Sequence, residues 1–176
     1  MDVKEQRDPL YDVGETVKEL GGSEYYRLKG FLGRTVPKVR RGKARKIFRS
    51  ITKAIDAGLV KACHDLSEGG LAVAAAEMAF SGGYGIELDL RKTPARSLSR
   101  NDFVLFSESN SRFLVEVSQK NKKAFEASMT GTVYAEIGTV TEARKLCIMG
   151  LNRETVIDLS LEGLLVSWKR TFSSGV

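Results

Sequence analysis

The stretch Cys63-His64-Asp65-Leu66-Ser67-Glu68-Gly69-Gly70-Leu71-Ala72 gathers the residue types most able to do chemistry. Asp65 and Ser67 supply a carboxylate and a hydroxyl, and Gly69 and Gly70 would let a ligand approach the backbone. An apolar run, Gly58 to Ala62, precedes the turn, and an alanine-rich helical pattern, Val73 to Phe80, follows it. A turn between strand and helix offers free backbone N–H groups and the positive end of a helix dipole, a setting for phosphate. The competing reading is a capped helix, with Ser67 as N-cap and glycines that permit tight packing. Spacing alone leaves both readings open. His64, the only histidine, reads beside Asp65 as a hydrogen-bonded structural residue rather than a base. A lone histidine also excludes a multi-histidine metal centre.

A second cluster, Ser107-Glu108-Ser109-Asn110-Ser111-Arg112, brings hydroxyls, a carboxylate, an amide and a guanidinium together before a strand. It could hold a polar ligand, or it could satisfy its own backbone at a helix-to-strand connection. No base lies near these serines in the sequence, so a nucleophilic role is discounted. No catalytic residue and no metal ligand is assigned.

The elements that must carry these clusters can be read from periodicity. Ala44, Ile47, Phe48, Ile51, Ala54 and Ile55 recur at helical spacing, with basic residues on the other face and Gly58 as a stop. Leu59 to Cys63 reads as a short buried strand, and about Gly69 to Phe80 as a helix. Tyr84, Ile86, Leu88 and Leu90 alternate with polar residues as a half-buried strand. One helical turn at Asp102 to Phe106, a strand at Arg112 to Val117 and a helix at Asn121 to Met129 follow. Strands at Tyr134–Val140, Lys145–Met149 and Thr155–Leu159 come without a helix between them. Ser160 then caps a last helix whose Leu161, Leu164, Leu165 and Trp168 form an apolar stripe. The pattern predicts an α+β protein with one mixed β-sheet and packed helices. Residues 1–43 carry irregular signals, among them a strand end near Tyr11, and read as the tail of a preceding domain with a linking segment. Residues 44–176 are then the domain proper.

Composition bounds the class. Apolar residues at 42% and charged residues at 28% exclude a disordered chain. No apolar run approaches the roughly 18 residues of a membrane-spanning helix. The charged N-terminus lacks the apolar core of a secretory leader. Cys63 and Cys147 lie in apolar segments and read as buried thiols, which predicts a reducing, cytoplasmic setting. Residues 34–53 hold nine basic residues and no acidic one, while the rest of the chain is net acidic, within a formal charge of +6. Only Phe48 interleaves aromatically with this run. It reads as a solvated basic face rather than a nucleic-acid site.

Four phrases in this order, Glu19 to Tyr26, His64 to Ala79, Leu105 to Phe113 and Ile137 to Val140, closely resemble the C-terminal part of the phosphoribosylformylglycinamidine synthase family. The likeness is to the large-subunit or subunit II form, within the aminoimidazole-ribotide-synthetase-like superfamily, and runs over nearly the whole chain. It implies α/β/α layers, partly ferredoxin-like. It also implies a step of purine synthesis, in which ATP with Mg²⁺ activates the amide of formylglycinamide ribonucleotide and glutamine-derived ammonia displaces phosphate. The implied partners are the remaining domains of the synthase, a glutamine amidotransferase subunit and a small accessory subunit.

The family enzyme holds two tandem copies of a two-domain unit, and this chain corresponds to the last domain. The family's general base and Mg²⁺–ATP ligands lie upstream, so His64 does not inherit a catalytic role. In the first copy, the equivalents of the Asp65 turn and of Ser107-Glu108-Ser109 contact the substrate. The second copy faces a pseudo-symmetric site associated with a structural nucleotide. The resemblance therefore implies ligand contacts from Asp65, Ser67, Gly69, Gly70, Ser107, Glu108 and Ser109. The isolated chain is expected to be inactive and to self-associate through surfaces its neighbours would cover. Two alternatives are another ATP-dependent synthetase of the superfamily, against which Leu20 to Tyr25 speaks, and a stand-alone anion- or RNA-binding module using residues 34–53.

Overall fold

Strand β1 (Pro9–Val13) is buried at all five positions, because it pairs on both edges. It runs antiparallel to β4 (Phe113–Val117) on one side and to β5 (Tyr134–Thr141) on the other. The computed structural model describes residues 1–95 and 97–173. Among these, β1, β4 and β5 join β2 (Val60–Asp65), β3 (Gly85–Asp89), β6 (Lys145–Met149) and β7 (Thr155–Ser160) in one sheet of order β2-β4-β1-β5-β3-β6-β7. Every pairing is antiparallel except β3 with β6, so the sheet is mixed.

Period-two alternation on the strands serves two helical layers. On one face Leu10, Leu114, Ile86, Leu88, Ile137 and Ile148 pack with α3 (Gly70–Gly82) and the start of α6 (Leu161–Ser173). On the other, Tyr11, Val13, Val115 and Val117 pack with Ile47, Ile51 and Ala54 of α2 (Arg41–Asp56) and Phe125 of α5 (Lys122–Ser128). Two short helices, α1 (Glu24–Leu28) and α4 (Asn101–Phe106), lie in the connections. The expected α+β architecture with helices on both sides of a mixed sheet is what the chain adopts.

The expectation set residues 1–43 apart from the domain, yet β1 is an interior strand of its sheet, paired on both edges. Val3 is also buried, and its N–H donates to the Met78 carbonyl of α3 at 3.2 Å. In α2 the buried stripe is Ala44, Ile47, Ile51 and Ala54, and Gly58, at φ 67°, follows its end as expected. Phe48 and Ile55 were expected on that stripe but are 49% and 47% exposed. They fall at its margin, where the sheet no longer covers them. Cys63 and Cys147 are half-buried rather than buried. Ser160 does cap α6, its Oγ accepting the Gly163 N–H at 3.2 Å.

One buried charge gives the fold a pH dependence. Glu116 is fully buried, and its carboxylate accepts the N–H of Lys4 (3.0 and 2.9 Å) and of Glu5 (3.0 Å). Burial outweighs these donors and pushes its carboxyl up to about 7 from 4.5. A pKa raised by folding contributes stability that is complete below 4.5 and lost as pH rises through 7. We expect the domain to lose about 1 kcal/mol from this group between pH 6 and pH 8. Urea unfolding of Glu116→Gln, which keeps the shape and an acceptor, should show a flatter response over that interval. Identical pH responses of variant and parent would remove Glu116 as the cause.

Candidate functional site

Strand β2 delivers Asp65 to the sheet end, and the chain turns through Leu66 to Gly69 before α3 begins. Leu66 anchors the turn by donating its N–H to the Arg112 carbonyl at 3.0 Å. Gly69 and Gly70 follow at φ 77° and 63°, a consecutive left-handed pair that side-chain-bearing residues rarely adopt. A Cβ on Gly70 would stand 2.8 Å from the carbonyl oxygens of Leu105 and Ser107. The glycines therefore press the turn against the second cluster. The two groups of residues singled out in the sequence meet in space.

Their meeting point is Glu108. One of its carboxylate oxygens accepts the Gly69 N–H at 2.9 Å, at the N-cap of α3, and the Glu24 N–H at 3.1 Å, at the start of α1. Ser23 caps α1 directly, its Oγ accepting the Tyr26 N–H at 3.2 Å. The position where an external anion was expected at α3 is thus held by a carboxylate of the chain itself, an N-terminal charge of the favoured sign. Ser67, the N-cap of the competing reading, does not cap: the cap residue is Gly69 with no side-chain bond, and Ser67 is exposed. A cap arriving from 39 residues further along leaves no local sequence signal.

The remaining side chains divide by burial. Asp65 is 65% exposed and stands with Ser67 on the rim. Ser107 and Ser109 are fully buried. Ser109 Oγ accepts the Val17 N–H at 3.0 Å and donates to the Val17 carbonyl at 3.2 Å, which ties residues before α1 to the site. The Ser107 carbonyl accepts from Arg112 Nη1 at 3.3 Å, and its hydroxyl has no protein partner. Arg112 is itself fully buried and pairs through Nη2 with Asp12 Oδ2 at 2.8 Å. Burial raises the Asp12 carboxyl above its ordinary range, and the Arg112 guanidinium opposes that rise. Sequence reasoning missed Asp12, which shows only as one polar residue in a short apolar run.

The phrase Glu19 to Tyr26 also packs here. Tyr25 stacks on Phe106 with centroids 4.6 Å apart and donates its hydroxyl to Asp102 at 3.2 Å. Glu19 is buried and pairs with Arg40 at 2.8 Å. His64 is buried behind the turn, with Nδ1 2.7 Å from the Asp65 carbonyl and Nε2 3.0 Å from a Glu77 oxygen, a structural placement. Among the described residues no group of three or more His, Cys, Asp or Glu could hold a metal ion. A cavity of about 320 Å³, lined in part by Glu87, Lys92, Glu136 and Cys147, shares no residue with the turn.

Comparison with known proteins adds the following. A family model described as AIR synthase related protein, C-terminal domain, matches residues 7–149. Phosphoribosylformylglycinamidine synthase subunit PurL of Thermococcus sibiricus is 44% identical over 142 residues, covering 81% of this chain and 20% of the relative. The subunit of the same name from Thermoanaerobacter pseudethanolicus is 36% identical over 171 residues, covering 96% of this chain and 22% of the relative. The chain thus spans about a fifth of the length of these curated relatives. Among solved structures, Thermotoga maritima PurL complexed with FGAR superposes with a TM-score of 0.78 at 17% identity, over 93% of this chain and 28% of that one. The Escherichia coli hydrogenase maturation protein HypE gives 0.66 at 20% identity, over 89% and 50%. At these identities the two structures share the fold.

Removing the Glu108 carboxylate should loosen two helix starts together. Glu108→Ala is expected to cost about 1–2 kcal/mol in urea unfolding. Inorganic phosphate should restore part of that loss by occupying the vacated donors, while leaving the parent unchanged. Equal phosphate responses in parent and variant would show that these N–H groups are not an anion seat.

Proposed function

We propose that this chain, which belongs to the AIR synthase related protein family and carries that family's C-terminal domain, serves as the last domain of a phosphoribosylformylglycinamidine synthase. The observation that carries the reading is the match of 96% of the chain, at 36% identity, to a subunit of that name. The complete enzyme would take formylglycinamide ribonucleotide, ATP and ammonia from glutamine to the amidine. Its partners would be its own upstream domains, a glutamine amidotransferase subunit and a small accessory subunit. Solved structures of Thermotoga maritima PurL with FGAR and with ATP, and one of PurLQS, are in keeping with those substrates and partners. A cytoplasmic site of action fits this step. Among the described residues no helix is long and apolar enough to cross a membrane.

Within such an enzyme this domain shapes a nucleotide-facing edge rather than supplying the reacting groups. Asp65, Ser67 and Glu68 are exposed on the turn, and of these Asp65 and Ser67 would meet the ligand. Gly69 and Gly70 set the backbone, and Ser107, Glu108 and Ser109 hold it from behind. The residues present do not fit Mg²⁺: among the described residues no group of three or more His, Cys, Asp or Glu could hold a metal ion, and the Glu108 carboxylate is engaged by the N–H groups of Gly69 and Glu24. The ligands for the metal and the triphosphate are therefore assigned to the upstream domains.

The test is reconstitution. The chain is mixed with the Thermococcus sibiricus subunit shortened by the fifth of its length that this chain matches, and ATP-dependent ammonia incorporation into formylglycinamide ribonucleotide is followed. Neither part should turn over alone, and mixing should give activity that Asp65→Ala lowers about tenfold or more, as loss of a positioning contact does. Appreciable turnover by the chain alone would overturn the proposal.

A further inference from the structure

The basic run is the sequence feature that neither the fold nor the proposed reaction uses. On α2, Arg41, Arg45, Arg49 and Lys53 recur at every fourth residue and are all exposed. On a helix that spacing makes one row about 18 Å long, with successive charges about 6 Å apart. The ion pairs of this region are made by neighbours instead, Arg40 with Glu19 and Lys43 with Glu15. Among the described residues none of the four row cations has a carboxylate partner.

The row works against the helix that carries it. Like charges four residues apart destabilise a helix by about 0.2–0.5 kcal/mol per pair. The first turn of α2 also carries cations and no acidic residue, and its N-cap Arg40 makes no side-chain cap bond, so the charge opposes the helix dipole. A surface that costs its own helix stability and has no carboxylate partner among the described residues is arranged for an external one. Beside the row, Phe48 and Ile55 stand two turns apart and half exposed. Phe48 is fixed edge-on by Phe113, with centroids 5.8 Å apart. A shallow cleft of about 200 Å³ between Arg45, Lys46, Arg49 and Lys53 gives the row relief.

We propose that this face of α2 docks an acidic amphipathic α-helix of another protein. Carboxylates at i and i+4 on that helix meet the cation row, and its apolar stripe covers Phe48 and Ile55. Two helices laid side by side at about 8–10 Å place these groups in register. An RNA strand could neutralise the row, but it gains nothing from Ile55, and the single ring of Phe48, held by Phe113, offers no stacking platform. The observations favour a protein helix. The inference does not depend on the reaction proposed above.

The test uses the full chain and two labelled probes, followed by fluorescence anisotropy. One probe is a synthetic helical peptide with Glu at i and i+4 beside a leucine stripe, and the other a single-stranded RNA of matching length. The peptide should bind at low salt and weaken as ionic strength rises. Arg45→Glu/Arg49→Glu should reduce its affinity about tenfold or more, and Phe48→Ser should reduce it separately. Circular dichroism should show both variants folded, since all three side chains are exposed. Absence of peptide binding at low salt, RNA binding tighter than the peptide, or indifference to Phe48→Ser would each overturn the proposal.

Discussion

The pair of Asp12 and Arg112 is the interaction on which the rest of the site depends. Both residues are fully buried, 100 positions apart, and joined at 2.8 Å. Asp12 belongs to β1, an interior strand, and Arg112 ends the Ser107 cluster just before β4. The same arginine gives its carbonyl to Leu66 and a guanidinium N–H to Ser107. Gly14 must lack a side chain there, because a Cβ would stand 2.8 Å from Arg112 Cγ. One arginine, through its guanidinium and its carbonyl, therefore links an interior strand, the glycine turn and the serine cluster. Desolvating two charges costs several kcal/mol each, so the pair is better understood as fixing register than as adding net stability.

Glu108 extends that logic to the edge of the site. Backbone N–H groups at a helix start attract anions from solution, and a site left open would take whatever phosphate is abundant. With Glu108 bridging α3 and α1, the turn is rigid and the Gly69 donor is occupied. The recognition proposed for this edge then falls to the exposed side chains on the rim. The difference between a seat for phosphate and a braced edge is a single carboxylate contributed from the connection into β4, the strand beside β2.

Much of this could be read along the chain. The α2 stripe, the β2–turn–α3 unit and the three later strands announce themselves through local periodicity, and the structure has them within a few residues of where alternation and helical spacing put them. The phrases shared with the synthase family identified the domain before any geometry. Long-range information was hidden. Tyr11 and its neighbours form too short a run to reveal two partner strands that come so much later. Ser67 is a better N-cap by type than Gly69, and only the folded approach of Glu108 makes its hydroxyl unnecessary. Phe48 and Ile55 satisfy the helical period, but the period does not say where the sheet stops covering a helix.

The interior position of β1 has a kinetic consequence. The first strand of this sheet along the chain is an interior one, and its two neighbours come about 100 residues or more later. During synthesis it must remain unpaired until β4 and then β5 are available. Folding dominated by such distant pairing pays its loop-closure entropy before the contacts form, and it is slow for that reason. Asp12, an acidic residue in the middle of an otherwise apolar strand, then acts during the wait as well as afterwards. An unpaired charge on the exposed strand discourages association with other chains until Arg112 arrives to neutralise it.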